Sequence, residues 1–130
     1  MYRWVEHTGE LELEIGAATE HEVFEEGFAA MRDLLECESK GEAEPREVDL
    51  AARDRATLLA DWLGELAFLA EAERFVPRRL VSLSLTGQAL RARVDGFRGS
   101  PPHLVKAATY HRLSLQPGEA GWWATVVLDV

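Results

Sequence analysis

The chain is poor in the residues that build extracellular proteins or thiolate metal clusters. Cys37 is the only cysteine among 130 residues, which excludes an intrachain disulfide and a zinc cluster built from cysteines. No apolar stretch approaches the roughly 20 residues of a membrane-spanning helix. The opening residues also lack the apolar centre of a secretory signal. We therefore expect a cytoplasmic protein that does not enter the membrane.

Basic residues are scarce as well. The chain carries 14 Lys and Arg against 23 Asp and Glu, which gives a net charge of −9. Affinity for a nucleic-acid backbone comes from neutralised phosphates, so this balance argues against direct binding of RNA. It favours docking on a basic protein partner, with any contact to RNA being indirect. Acidic residues that only solvate helix faces and loops would give the same composition.

The sequence motifs of common enzymes are missing. There is neither a Gly-x-x-x-x-Gly-Lys-Ser/Thr phosphate loop nor a Gly-x-Ser-x-Gly nucleophile elbow. Asp61 and Glu65 are four residues apart on one predicted helix face, which is typical of a solvated pair and not of an acid–base dyad. We therefore predict a protein that is not an enzyme. A metal-dependent hydrolase is a weaker alternative, because no third ligand or general base is visible.

Hydrophobic periodicity predicts one α+β domain over residues 1–130, with two helices packed on a mostly antiparallel β-sheet. The predicted order is β-β-α-β-α-β-β-β-β. Thr19 and Glu22 form a capping box before the first helix. The second helix begins near Asp54, ends at about Ala72 and carries a broad apolar stripe. Gly64 within that stripe indicates either close packing against another element or neutral drift.

Two segments are predicted to be loops. Residues 36–46 contain Gly41 and Pro45, several acids and few apolar side chains, and only residues 47–51 beyond them resemble a short strand. Residues 97–102 follow a predicted strand over residues 90–94. They are the best candidate for a long functional loop.

Asp129 and Lys106 are unusual against the background of this chain. The chain prefers Glu to Asp by 17 to 6 and Arg to Lys by 12 to 2. Asp is depleted in strand interiors, so Asp129 in the last predicted strand is either a functional residue or an exposed chain end. Lys106 suits a position that requires a compact ammonium group. That group would face either a partner's phosphate or nearby acids.

The histidines and the strand arginines favour structural roles. His7, His21 and His103 are far apart, and no His-x-His or His-x-x-x-His spacing occurs. We therefore expect His7 to anchor its turn by hydrogen bonds. Arg91 and Arg93 share one strand face, which is more typical of a solvated sheet surface than of an RNA-binding patch.

Four segments, in order along the chain, resemble the archease family. They are His7-Thr8-Gly9-Glu10, the helical segment 58–66, Lys106-Ala107-Ala108-Thr109-Tyr110-His111, and the closing Leu128-Asp129-Val130. Archeases carry His-Thr-Ala-Asp in the first segment and Lys-Ala-Val-Thr-Tyr-His in the third. This chain departs from those motifs at Gly9, Glu10 and Ala108.

The resemblance implies a function. Archeases are accessory proteins of the GTP-dependent RNA-splicing ligase of the RtcB type. They help the ligase to become guanylylated and sustain its multiple turnover in tRNA splicing or RNA repair. The alternative is a general protein-binding modulator or chaperone of another RNA enzyme, such as a tRNA methyltransferase.

The resemblance also implies a site. Glu10, Asp129 and the terminal Val130 would bind a divalent cation, Ca²⁺ or Mg²⁺, while Lys106, His7 and Tyr110 would serve partner contact and activation. Glu10 stands where the family has Asp. It still offers a hard carboxylate oxygen, displaced outward by about one bond.

Overall fold

The computed structural model describes residues 1–38, 40–102 and 105–130, and His103 lies outside the described residues. Two helices and seven strands follow the predicted order, so the α+β class is confirmed. Among the described residues, no helix is both long and apolar enough to cross a membrane. The elements are β1 (Tyr2–His7), β2 (Glu10–Ala17), α1 (Glu20–Leu35), β3 (Lys40–Ala51), α2 (Arg55–Ala72), β4 (Phe75–Thr86), β5 (Ala89–Arg98), β6 (Ala107–Gly118) and β7 (Gly121–Asp129).

The strands form two sheets and not the single sheet predicted from the sequence. One sheet has the order β1-β2-β7-β6 and the other has the order β3-β5-β4, and every described pairing is antiparallel. Both helices contact both sheets. The helices therefore fill the space between the sheets, which leaves the far side of the four-stranded sheet facing solvent.

Both predicted helix starts are confirmed. Thr19 caps α1, and its hydroxyl accepts a hydrogen bond from the Glu22 backbone N–H at 3.1 Å. Asp54 caps α2 by accepting from the Thr57 N–H at 2.7 Å, and that hydrogen bond lowers the pKa of the Asp54 carboxyl. These caps satisfy backbone donors that the first helical turn leaves unpaired.

The core is centred on α2. This helix is apolar on most of its circumference because it lies between the two sheets. Its Trp62 is fully buried, stacks on Phe28 with ring centroids 6.1 Å apart, and donates its indole N–H to the Phe24 carbonyl at 3.1 Å. The remaining buried large side chains of α2 are Leu58, Leu59, Leu63, Leu66 and Leu69.

The predicted loop over residues 36–46 is wrong for most of its length. β3 begins at Lys40, and Glu44, Pro45 and Arg46 pair in register with β5. β3 is an edge strand, so Pro45 can occupy it without removing a hydrogen bond from the sheet interior. Acids of β3 pair with arginines of β5, as in Glu47–Arg93 at 3.0 Å.

The predicted functional loop over residues 97–102 is wrong at its first two residues, which belong to β5. Phe97 and Arg98 are the last residues of β5 and pair with Val76 and Phe75 of β4. Gly99 to Pro102 follow the strand as a short irregular segment. Phe97 is buried, so its side chain holds the strand against the core and is not available to a ligand.

Gly64 is a position where an added methyl group should stabilise the protein. A Cβ there would lie 3.5 Å from the Ala108 Cβ of β6, an ordinary van der Waals distance. Alanine is favoured over glycine in a helix interior by about 0.5–1 kcal/mol. We expect Gly64→Ala to raise the free energy of unfolding by about that amount in urea titrations.

Gly27→Ala in α1 is the matched control for Gly64→Ala. Its added Cβ would meet Leu63 Cδ2 at 3.0 Å, which is tighter than normal packing. We therefore expect a smaller gain or a loss at position 27. A Gly64→Ala protein that unfolds more easily than the parent would contradict the packing assigned to this helix face.

Candidate functional site

The central strands of the four-stranded sheet bring the two ends of the candidate site together. β2 and β7 are antiparallel, and Glu10 is the direct cross-strand partner of Asp129. Direct partners in antiparallel strands have Cα atoms about 4.5–5.5 Å apart and side chains on the same face. The Val130 N–H donates to the Gly9 carbonyl at 3.3 Å, so the last residue is attached to the turn between β1 and β2. The two acids of the predicted site therefore lie side by side.

His7 and Lys106 flank this acidic pair. His7 is the partner of Glu10 on β1, and the Lys106 backbone N–H donates to the Asp129 carbonyl at 2.8 Å. The ring of His7 lies 4.0 Å from a Glu12 carboxylate oxygen. That separation is longer than a hydrogen bond, so this contact does not provide the anchoring of the turn expected of His7. The sheet thus gathers five of the six predicted site residues at one end.

Tyr110 is directed elsewhere. Its hydroxyl donates to the Asp61 carboxylate of α2 at 2.7 Å, and its side chain is 57% exposed. The hydrogen bond to Asp61 raises the pKa of the Tyr110 hydroxyl. This contact joins β6 to α2, so Tyr110 supports the position of the strand and does not orient the acidic pair.

Arg112 is a site residue that the sequence analysis missed. Its Nη2 atom lies 3.2 Å from a Glu10 oxygen and 3.3 Å from a Glu12 oxygen, so one guanidinium contacts both acids. A bulge in β6 makes this reach possible. Thr109 pairs with Val127 and Ser114 pairs with Thr125, so β6 takes five steps where β7 takes two. Arg112 within the bulge has a φ of 54°, a conformation that nothing in its sequence context indicates.

A cleft of about 490 Å³ opens beside the acidic pair. Trp4, Leu11 and Leu34 give it apolar walls, and Glu6, Glu10 and Val130 lie along it. Pro102, in the short segment after β5, also lines it. The cleft can accept a partner's side chain next to the acids, with apolar contact on one side and negative charge on the other.

The donor set at this end fits a hard, water-rich cation. Glu10 and Asp129 supply two carboxylates on adjacent strands, and Val130 directly follows Asp129. Ca²⁺ and Mg²⁺ take oxygen ligands, and Mg²⁺ keeps several of its waters. Within residues 1–38, 40–102 and 105–130, no three side chains of His, Cys, Asp or Glu converge as a metal cage. A site of two carboxylates would leave the other ligands of such a cation to water or to a partner.

Three arginines of the three-stranded sheet pair with acids. Arg91 pairs with Asp49 at 3.4 Å, Arg93 with Glu47 at 3.0 Å and Arg79 with Asp95 at 2.9 Å. Exposed cross-strand pairs of this kind contribute little stability, and they neutralise the charge that an RNA backbone would need. The solvated-face interpretation of Arg91 and Arg93 agrees with these contacts.

Comparison with known proteins points to a single family. The profile of the archease protein family matches residues 2–130. Archease proteins of Methanosarcina barkeri and Methanosarcina mazei are 31% and 32% identical to this chain over 140 residues. Each alignment covers 99% of this chain and 95% of the relative.

Solved structures share the fold. A crystal structure from Thermotoga maritima, described as an archease and possible chaperone, has a TM-score of 0.71 at 21% identity and covers 100% of this chain and 98% of that chain. A solution structure of a Methanobacterium thermoautotrophicum protein has a TM-score of 0.71 at 24% identity and covers 99% and 98%. At these identities the likeness establishes the fold.

Proposed function

The chain belongs to the archease family, and on that premise we propose that it is a non-catalytic accessory protein that binds a divalent cation and activates a GTP-dependent RNA ligase of the RtcB type. The observation that supports this most is the direct pairing of Glu10 with Asp129 beside the terminal residue. Activation here means promoting guanylylation and turnover of the ligase. The description of the Thermotoga maritima protein as a possible chaperone is compatible with such an accessory role.

Glu10, Asp129 and the terminal carboxylate of Val130 would hold the cation, Ca²⁺ or Mg²⁺. When bound, such a cation supplies positive charge to a phosphate of the nucleotide and orients it. Glu10 is only partly exposed and Asp129 is exposed, so the pair lies where a partner's site can reach it.

The distribution of charge favours a protein partner that is basic. Residues 1–50 hold fifteen of the 23 acids against four Lys or Arg, and Glu10 of the acidic pair lies in this segment. Complementary charge accelerates association and fixes the orientation of a complex. The backbone N–H of Lys106 donates a hydrogen bond to the Asp129 carbonyl. The ammonium group of Lys106 would offset part of the negative charge when the acids approach a nucleotide phosphate.

Divalent cations should stabilise the isolated protein. A cation that binds only the folded form at ten-fold excess over its Kd adds about 1.4 kcal/mol, or roughly 5 °C in Tm for a domain of this size. We expect CaCl₂ or MgCl₂ to raise the Tm in thermal unfolding at constant ionic strength. Asp129→Asn is the matched control for charge screening, since it removes one ligand and should lose most of the shift. An equal shift in both proteins would contradict the site.

Ligase turnover tests the function itself. The cognate RNA ligase is assayed with GTP and excess RNA, with and without a substoichiometric amount of this protein. Activation predicts faster guanylylation and many ligation cycles per ligase molecule. If turnover is unchanged, but the protein alters a tRNA methyltransferase or another RNA enzyme, the general modulator takes the place of the ligase activator. Hydrolysis of a phosphoester by the isolated protein would contradict the non-catalytic assignment.

A further inference from the structure

Arg112 occupies the position that a bound cation would compete for. Its guanidinium contacts Glu10 at 3.2 Å and Glu12 at 3.3 Å, and its Nε lies 3.4 Å from the same Glu12 oxygen. Glu12 is the more shielded of the two acids, with 15% of its side chain exposed against 36% for Glu10. One arginine therefore offsets part of the negative charge of two acids.

The path of Arg112 across the sheet is set by the strand order. Arg112 belongs to β6 and the acids belong to β2, and β7 lies between these strands. Glu12 is paired with Val127 and Glu10 with Asp129, so the side chain must pass over β7 at this level. Val127 shares the face of Glu12, away from the helices, yet it is fully buried. A long cationic side chain on this path can cover apolar surface such as Val127 with its methylene groups.

We propose that Arg112 is a built-in counter-cation that sets the metal affinity of the site: it pairs with Glu10 in the metal-free protein and leaves Glu10 when a divalent cation binds. This inference rests on the proposed cation site. A guanidinium and a dication on one carboxylate are like charges within a few ångströms, and each weakens the binding of the other. The bulge in β6 provides the freedom for the exchange, since Arg112 is 44% exposed and can turn outward.

Isothermal titration calorimetry with CaCl₂ and with MgCl₂ tests this competition. Arg112→Met removes the charge but keeps a long unbranched side chain at a partly exposed position, so the fold should be retained. We expect Arg112→Met to bind the cation about ten-fold more tightly than the parent. Arg112→Lys keeps the charge without the planar fork and should fall between the two.

Arg3→Met is the matched control. Arg3 of β1 pairs with Glu14 of β2. Glu14 is four residues from Glu10, about 13 Å along β2. That distance exceeds the Debye length at physiological salt. We expect its affinity to stay within about two-fold of the parent. A general effect of net charge would instead strengthen binding by Arg3→Met and Arg112→Met alike, which would overturn the assignment to Arg112.

The side-chain signal of Arg112 gives a second readout. In ¹H–¹⁵N NMR spectra, the Arg112 Nε–H resonance of the parent should shift on saturation with Ca²⁺, whereas the Arg3 resonance should not. If the parent binds cation and Arg112→Met binds equally or more weakly, the competition is wrong while the cation site stands. If neither protein binds cation, both the competition and the proposed cation site are wrong.

Discussion

Asp129→Ala is expected to reduce activation of the cognate ligase to the level of the ligase alone, while leaving the fold intact. Asp129 is exposed at the end of β7, so its removal creates no cavity in the core. Surface substitutions of this kind usually change stability by less than about 0.5 kcal/mol. Activation, in contrast, would lose one of the two side-chain carboxylates that hold the cation. The measurement is the rate of ligase guanylylation by GTP at equal concentrations of each variant.

Asp49→Ala is the matched control for Asp129→Ala. Asp49 is also an exposed strand aspartate, but it pairs with Arg91 in the other sheet. We expect full activation by this variant. Lys106→Ala should reduce activation and Lys106→Arg should restore part of it, because a guanidinium keeps the charge in a different geometry. Full activation by Asp129→Ala would remove the acidic pair from the mechanism and leave the general protein-binding module.

Trp62→Ala is expected to lower the free energy of unfolding by about 3–5 kcal/mol. Trp62 is fully buried between α1 and the rest of the core, stacks on Phe28, and donates to the Phe24 carbonyl. Truncation would leave a large cavity that its packed neighbours cannot close. Urea unfolding followed by circular dichroism measures the loss.

Phe68→Ala is the matched control, because it truncates an exposed aromatic side chain of the same helix. Phe68 belongs to the same helix but is 55% exposed. We expect its truncation to change the free energy of unfolding by no more than about 0.5 kcal/mol. If Trp62→Ala and Phe68→Ala cost the same, the central position of α2 between the two sheets is wrong.

Local sequence patterns were sufficient for the helices and for the order of elements. Thr19 and Asp54 cap the helices at the predicted positions, because capping depends on side chains within a few residues of each other. The apolar stripe of α2 likewise indicated burial. The start of β3 could not be predicted, because Lys40 to Arg46 have few apolar residues. Backbone pairing with β5 places that segment in the sheet, and this pairing is not local in sequence.

The candidate site could likewise be predicted only in part. The meeting of Glu10 with Asp129 joins residues at opposite ends of the chain, and only the resemblance to archeases indicated it before the strand register was known. Arg112 could not be predicted at all. It follows a recognisable motif, but its role depends on a bulge, a positive φ and a reach across β7. Each of these is a property of the assembled sheet.

Paramagnetic broadening by Mn²⁺ is the most direct test of the central claim that Glu10 and Asp129 form one cation site. Mn²⁺ takes the same oxygen ligands as Mg²⁺ and broadens the NMR signals of nearby nuclei. At substoichiometric Mn²⁺, the amide signals of Gly9, Glu10, Asp129 and Val130 should disappear first, while those of Glu47 and Asp49 stay sharp. The same titration of Asp129→Asn should leave the first group sharp. Broadening that spreads evenly over all acidic surfaces, or that is unchanged in Asp129→Asn, would contradict the site.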